Sequence, residues 1–286
     1  PPMPWINVVA NQNVGFLVSE AGAGYTWSRN SREHRLTPWS NDPVSDPYGE
    51  ALYVRDEDAR VFWSPLPGPV PSAAPIEVAH GFGYTRWRQA ARGLAQEVCL
   101  FVPRDAPVKV VRVGLTNAGR RRRRLSLFAY FRLVLGGSSA AAAPAVVTEF
   151  DAAAGILLAR NPHGGDFSDG VAFAAAVVPA GAGPVRATGN RAAFLGDEGT
   201  LARPAALTSG AVLDGRSGAG LDPCAALQVA LTLAPGASAE VAFLLGDRLA
   251  GEPVVELRRR VCISPVASHG RDGLSEPGVV QGEGMS

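Results

Sequence analysis

Cysteine is scarce in this sequence. Cys99, Cys224 and Cys262 stand far apart with no C-x-x-C pair, which argues against a disulfide framework or a cysteine-built zinc site and fits a reducing compartment. Histidine is nearly as rare: His34, His80, His163 and His269 lack metal-ligand spacing, and no H-E-x-x-H or H-x-H occurs, so no metal or other cofactor is expected. Lys109 is the single lysine, every other basic side chain being arginine. With 27 basic against 26 acidic residues the formal net charge is +1, so no overall field draws nucleic acid or an anionic membrane. No apolar run reaches the roughly 18 residues of a membrane span, and the opening PPMPWINVVANQNVGF lacks the regions of a signal peptide. The chain reads as a soluble, cytoplasmic segment. Its start without methionine suggests a part of a longer protein.

What is present is a succession of short strand-like runs separated by turn signals, with no sustained 3.6-residue period. LAQEVCLFVP (Leu94 to Pro103), VKVVRVGLTNAG (Val108 to Gly119) and RRLSLFAYFRLVLG (Arg123 to Gly136) predict an antiparallel meander, with Asn117-Ala118-Gly119 as a tight turn. Alternation puts Val111, Val113 and Leu115 on one face and Val110, Arg112 and Gly114 on the other. After an Ala/Ser/Gly linker, GGSSAAAAPA (Gly136 to Ala145), come AVVTEFD, GILLARNP, GVAFAAAVVP and a predicted hairpin, ALQVALTLAPGASAEVAFLLGD (Ala226 to Asp247). Many strands at roughly ten-residue spacing predict an all-β chain, a large antiparallel β-sandwich with little helix over residues 1–250. EPVVELRRRV (Glu252 to Val261) could begin a linker helix, and the Gly/Ser/Pro-rich remainder of 251–286 is expected to be poorly ordered.

Few residues carry recognisable chemistry. No G-x-S-x-G is present, and the glycines near Gly22 and Gly81 do not open helices, so nucleophile elbows and phosphate-cradling loops are not indicated. The run Arg120 to Arg124 invites a nucleic-acid or phosphate reading, but the stronger one is that it follows a turn and enters a strand, where its side chains should fan out to both faces and into solvent. The carboxylate pairs Asp42/Asp46 and Asp56/Asp58 could serve glycoside chemistry, but YVRDEDARVFWSP reads more simply as strand, acidic turn, strand. The densest constellation is WSRNSREHRLTPWSNDP, Trp27 to Pro43. Its tryptophans suit the apolar face of a sugar ring, while arginine donates to hydroxyls and Asn and Asp accept from them. The competing reading is an ion-pair network of Arg32, Arg35, Asp42 and Asp46 that pins a long loop over Trp27 and Trp39.

The long opening block from PWINVVANQNVGFLVSEAGAGYTWSRNSREHRLTPWSNDP to RVFWSP, with HGFGYTRW, LFVPRDAPVKVVRVGLTN, LLARNP and GAGLDPCAALQ, resembles the N-terminal β-sandwich domain of glycoside hydrolase family 94. This family was formerly grouped with glycosyltransferases, and the closest similarity is to the phosphorylase-like region of cyclic β-1,2-glucan synthases. The resemblance runs from Pro4 to about Leu249. It implies a galactose-mutarotase-like supersandwich that precedes a helical linker and an (α/α)6 barrel. In the family the barrel carries the general-acid Asp, and inorganic phosphate is the co-substrate that attacks with inversion, so no catalytic residue is expected in this segment.

Implied partners are a β-glucan or oligosaccharide, the barrel and a second copy in a homodimer. The setting is the cytoplasm, including the cytoplasmic part of an inner-membrane synthase. By the same resemblance Trp27, Arg32, Arg35, Thr37, Trp39, Asn41 and Asp42 are candidates for sugar-rim or inter-domain contacts. Two departures stand out: GGSSAAAAPAVV replaces a polar segment that helps form the acceptor site in disaccharide phosphorylases, and the sequence beyond Arg260 has the abrupt change of a shifted reading frame. The alternatives are a mutarotase-like enzyme using a His and a carboxylate, and a purely structural fragment.

Overall fold

The computed structural model describes residues 4–197 and 199–249. The expected linker helix and tail, 251–286, lie outside the described residues. Strands β1 (Ile6–Ala10), β2 (Val14–Ser19), β3 (Gly24–Ser28), β4 (Glu50–Asp56) and β5 (Val61–Trp63) open the fold. They are followed by β6 (Ile76–Gly81), β7 (Tyr84–Ala91), β8 (Leu94–Phe101), β9 (Val108–Asn117) and β10 (Arg123–Arg132). The second half supplies β11 (Val147–Asp151), β12 (Ile156–Arg160), β13 (Gly170–Val177), β14 (Arg186–Asn190), β15 (Pro223–Leu233) and β16 (Ser238–Leu249). All pairings are antiparallel, in sheets of order β1-β2-β3, β14-β15-β10-β4-β5 and β11-β12-β13-β16-β9-β8-β7-β6. The fold is a large all-β sandwich, as the sequence predicts. No helix among the described residues is long and apolar enough to cross a membrane.

The core lies between the five- and eight-stranded sheets and follows the period-2 pattern. Val111, Val113 and Leu115 of β9 face Leu125, Leu127, Ala129 and Phe131 of β10 in one buried cluster. Strand β10 is buried on its reverse face too, where Phe128 and Tyr130 pack with Tyr53 and with Phe194 and Leu207 of the short helices α2 (Arg191–Leu195) and α3 (Ala205–Ser209). A strand covered on both sides needs apolar residues at nearly every position, which explains the unbroken LSLFAYF. Each fully buried Leu or Phe of this kind contributes roughly 1.5–3 kcal/mol.

Two connections differ from the sequence reading. The turn at Asn117-Ala118-Gly119 does not close a meander: β9 lies in the eight-stranded sheet and β10 in the five-stranded one. The APGAS segment likewise joins β15 of one sheet to β16 of the other instead of closing a hairpin. Both are corners between layers, and they lie side by side because β9 pairs with β16 and β10 with β15. Asn117 stitches them together. Fully buried, its amide nitrogen donates to the carbonyls of Arg121, Leu233 and Ala234 at 2.7, 3.1 and 3.1 Å, while its Oδ1 accepts from Gly119 N at 3.0 Å. Turn chemistry alone cannot distinguish a hairpin from such a corner; the two-sided burial of β10 decides it.

Candidate functional site

The hairpin β2–β3 presents two unlike faces. Alternation sends Tyr25 and Trp27 outward and Thr26 and Ser28 inward. Trp27 lies flat across Gly15, its partner in register; a Cβ at Gly15 would sit 2.3 Å from the indole, so only glycine admits this approach. After β3 the chain turns at 29–33, where Asn30 Oδ1 accepts from the amides of Arg32 and Glu33. It then returns beside β3: Leu36 N donates to Thr26 O, and Arg35 bridges Trp27 on one side and Gly136 on the other.

This return assembles an outer cluster. Trp39, 37% exposed, stacks on Tyr25 with ring centroids 5.3 Å apart, and Tyr25 meets Trp27 at 5.2 Å. The Arg35 guanidinium lies over Tyr25 and Trp39 at 5.9 and 5.7 Å and donates only to the carbonyls of Ser31 and Gly137, each at 3.2 Å. Burial raises the Tyr25 phenol above its ordinary pKa, against a smaller downward pull from Arg35. Gly137 belongs to the segment read as a linker, which instead forms the short helix α1 (Ser139–Ala142) and runs alongside the loop.

On the inner face the polar groups around Glu50 satisfy one another. Thr26 and Thr37 hydroxyls donate to Glu50 Oε1 at 2.6 and 2.7 Å, Thr26 N donates to Thr37 Oγ1 at 2.8 Å, and Lys109 Nζ pairs with Glu50 Oε2 at 2.5 Å. The chain's single lysine is thus 1% exposed, joining three sheets. Beside this hub Asp247 accepts from Ser28 Oγ at 2.9 Å and lies 3.7 Å from His34 Nδ1, with the imidazole stacked on Phe167 at 4.7 Å. Burial pushes the His34 pKa down more than Asp247 pulls it up.

The predicted residues therefore divide. Trp27, Arg35 and Trp39 come together on the surface. Thr37 does not reach it, since its hydroxyl is consumed in the hub at 0% exposure. Arg32 points away and pairs with neighbouring Glu33 at 3.2 Å; Asn41 is exposed; Asp42 caps the next turn, accepting from Val44 N and from Ser45 N and Oγ. Those hydrogen bonds, led by the Ser45 hydroxyl, hold the Asp42 carboxyl below its usual range. The expected network of Arg32, Arg35, Asp42 and Asp46 does not form: Asp46 instead accepts from Ser19 Oγ at 2.6 Å, and Arg35 touches aromatics and carbonyls. Tyr25, Glu50 and Lys109 were missed, although GYTWS already pairs Tyr25 with Trp27 by alternation.

The side chains weighed for an acid–base pair have other partners. His34 lies beyond hydrogen-bond distance of Asp247 and is buried, and His80 Nδ1 faces Thr85 Oγ1 at 3.1 Å. Asp56 and Asp58 are occupied by Arg123 at 2.5 Å and Arg124 at 2.6 Å. Among the described residues no three His, Cys, Asp or Glu side chains gather as metal ligands.

The family model described as "Glycosyl hydrolase 94, supersandwich domain" matches residues 1–262. Cyclic beta-(1,2)-glucan synthase NdvB of Rhizobium meliloti (strain 1021) is 38% identical over 248 residues, 86% of this chain and 9% of that protein. Solabiose phosphorylase of Paenibacillus borealis is 31% identical over 218 residues, 73% of this chain and 27% of that protein. The chain spans from 9% to 31% of the length of the curated relatives it matches. Among solved structures, a bacterial glucoamylase complexed with acarbose aligns with a TM-score of 0.54 at 5% identity, over 91% of this chain and 34% of that one. A structure from Escherichia coli K12, provisionally assigned as an aldose 1-epimerase, gives 0.50 at 9% identity, over 86% and 99%. At such identities the likeness is one of fold, that of the galactose-mutarotase-like sandwiches.

Proposed function

The chain belongs to glycosyl hydrolase family 94, as its supersandwich domain, and from that premise we propose that it is a non-catalytic domain lending sugar-rim and docking contacts to an (α/α)6 catalytic barrel that acts on β-linked glucans. The observation that carries this reading is the outer cluster: an exposed Trp39 stacked on Tyr25, with an Arg35 cation engaged by no carboxylate among the described residues. An open aromatic face with a free donor beside it suits a sugar ring, whose axial C–H groups stack while its hydroxyls accept. Beyond the cluster, on strand β1 and the residue before it, Ile6, Val8 and Trp5 are 55%, 56% and 71% exposed. Such an apolar edge suits a neighbouring domain. The reading puts the domain in the cytoplasm, alone or as the cytoplasmic part of a membrane-bound synthase.

Titration calorimetry with linear and cyclic β-1,2-glucans beside cello-oligosaccharides tests the sugar contact. Saturable binding that falls at least about tenfold in Arg35→Ala and Trp39→Ala is expected, the loss of a charge-assisted or stacking contact. Pull-down with a separately produced barrel domain tests docking. No saturable glucan heat together with no barrel complex would leave only a structural fragment.

A further inference from the structure

The five-arginine run, left unused by the proposed function, separates in the structure into two groups. Arg123 donates to Asp56 Oδ2 through Nε at 2.9 Å and Nη2 at 2.5 Å, and Arg124 Nη2 pairs with Asp58 Oδ1 at 2.6 Å. Asp56 also accepts from the amides of Asp58 and Ala59, both at 2.9 Å. Both carboxylates are therefore already matched. Arg120, Arg121 and Arg122 are exposed and have no acidic partner within 4.0 Å among the described residues. With Gly119, Arg123, Asp56, Asp58 and Ala59 they line a cavity of about 690 Å³ between the β4–β5 turn and the corner joining β9 to β10.

The corner is rigid where an ordinary surface loop would not be. Buried Asn117 holds Gly119 N and Arg121 O from beneath and ties both to the neighbouring corner through Leu233 O and Ala234 O. The backbone that carries the free guanidiniums is thus fixed before any ligand arrives, which lowers the ordering cost of binding. Adjacent unpaired guanidiniums around a recess whose own acids are neutralised favour a multivalent oxyanion. Planar forks of N–H donors match phosphoryl oxygens in pairs.

We propose that the cavity beside Arg120, Arg121 and Arg122 is a binding site for a phosphate-bearing anion. The shared chemistry is the phosphoryl group, whether free in solution or on a lipid head. The chain's formal net charge of +1 gives no general pull on anions, so binding depends on this local concentration of arginine.

The test is calorimetry of the 286-residue chain at low ionic strength with inorganic phosphate and pyrophosphate, beside sedimentation with phosphatidylglycerol and phosphatidylcholine vesicles. Saturable pyrophosphate binding is expected, weakened at least about tenfold in Arg120→Gln/Arg121→Gln/Arg122→Gln through loss of charge-assisted bonds and unchanged in Arg88→Gln. Binding to phosphatidylglycerol vesicles but not to the free anions would support the same site with a lipid source. If no probe binds saturably, or the triple variant binds like the parent, the proposal fails. Should the triple variant misfold, amide shifts of the unmodified chain decide: pyrophosphate must move residues 118–124 and spare the β2–β3 hairpin, and the reverse pattern overturns the site.

Discussion

The two faces of strand β3 show how differently one short sequence can be used. Inward, Thr26 joins Thr37, Glu50 and Lys109 in a hub where every heteroatom named has a partner and the lysine is sealed from water. Outward, one residue away on either side, Tyr25 and Trp27 build a surface whose arginine has no carboxylate partner among the described residues and whose Trp39 stays open to solvent. The polar groups of this hub are committed to holding three sheets together, so they have nothing left for a ligand. The outer face holds a cation and π-faces in reserve. A polar or aromatic motif thus indicates a binding surface only where its groups remain unspent, and burial is what separates the two cases.

The largest expected effect comes from breaking the inner face. Lys109→Met leaves buried Glu50 without its counter-ion, and should cost about 3–5 kcal/mol in urea unfolding. Adding Glu50→Gln should recover part of that loss, because no uncompensated charge remains and the amide oxygen can still accept from Thr26 and Thr37. Gly15→Ala attacks the junction between the faces: the methyl meets Trp27, and overpacking of this kind costs roughly 1–3 kcal/mol, with a change in tryptophan near-UV ellipticity as the ring moves.

Acid titration sharpens the inner side further. His34 is held below its ordinary pKa by burial, opposed by Asp247 and Asp169 and reinforced by Arg29, with Ser28 O accepting at 3.1 Å from Nδ1. The unfolded chain then binds the proton more readily than the folded one. Stability should fall as pH drops below about 6.5 toward the depressed folded value, and His34→Gln should flatten that slope in pH-dependent melting. The smallest effect is expected outside: Trp39→Ala should change folding stability by less than about 1 kcal/mol while abolishing the glucan signal. A large loss of stability there would move Trp39 to the structural side of the comparison.

Strand positions and facing were legible because β-structure records itself in alternation: Val111, Val113 and Leu115 occupy the buried face that their spacing predicts. Which strands pair was not. Asn117-Ala118-Gly119 and APGAS look like hairpin turns, but both serve as inter-sheet corners, and that choice rests on contacts more than a hundred residues away, such as Asn117 to Leu233. At the candidate site, the family-like stretch mixes two populations. Thr37 and Trp39 are two residues apart and share a motif, though one hydroxyl is locked to Glu50 and the other side chain is open. The signal that separates them, the buried Glu50–Lys109 pair, lies 59 residues apart in sequence and leaves no local trace.

The stitched corners also constrain the order in which the chain can fold. Strand β16 is the link in the eight-stranded sheet between the meander β6 to β9 and the meander β11 to β13, and β15 is the link in the other sheet between β14 and β10. Both links are the last strands described. During synthesis each earlier meander must therefore wait with an unpaired edge, and Asn117 with only its local partners Gly119 and Arg121, until residues 223–249 emerge. Closure joins both sheets in one late step governed by long-range loop entropy. A chain ending before β15 would expose the edges of β9, β10, β13 and β14 together, four templates for aggregation in a molecule that otherwise keeps them paired.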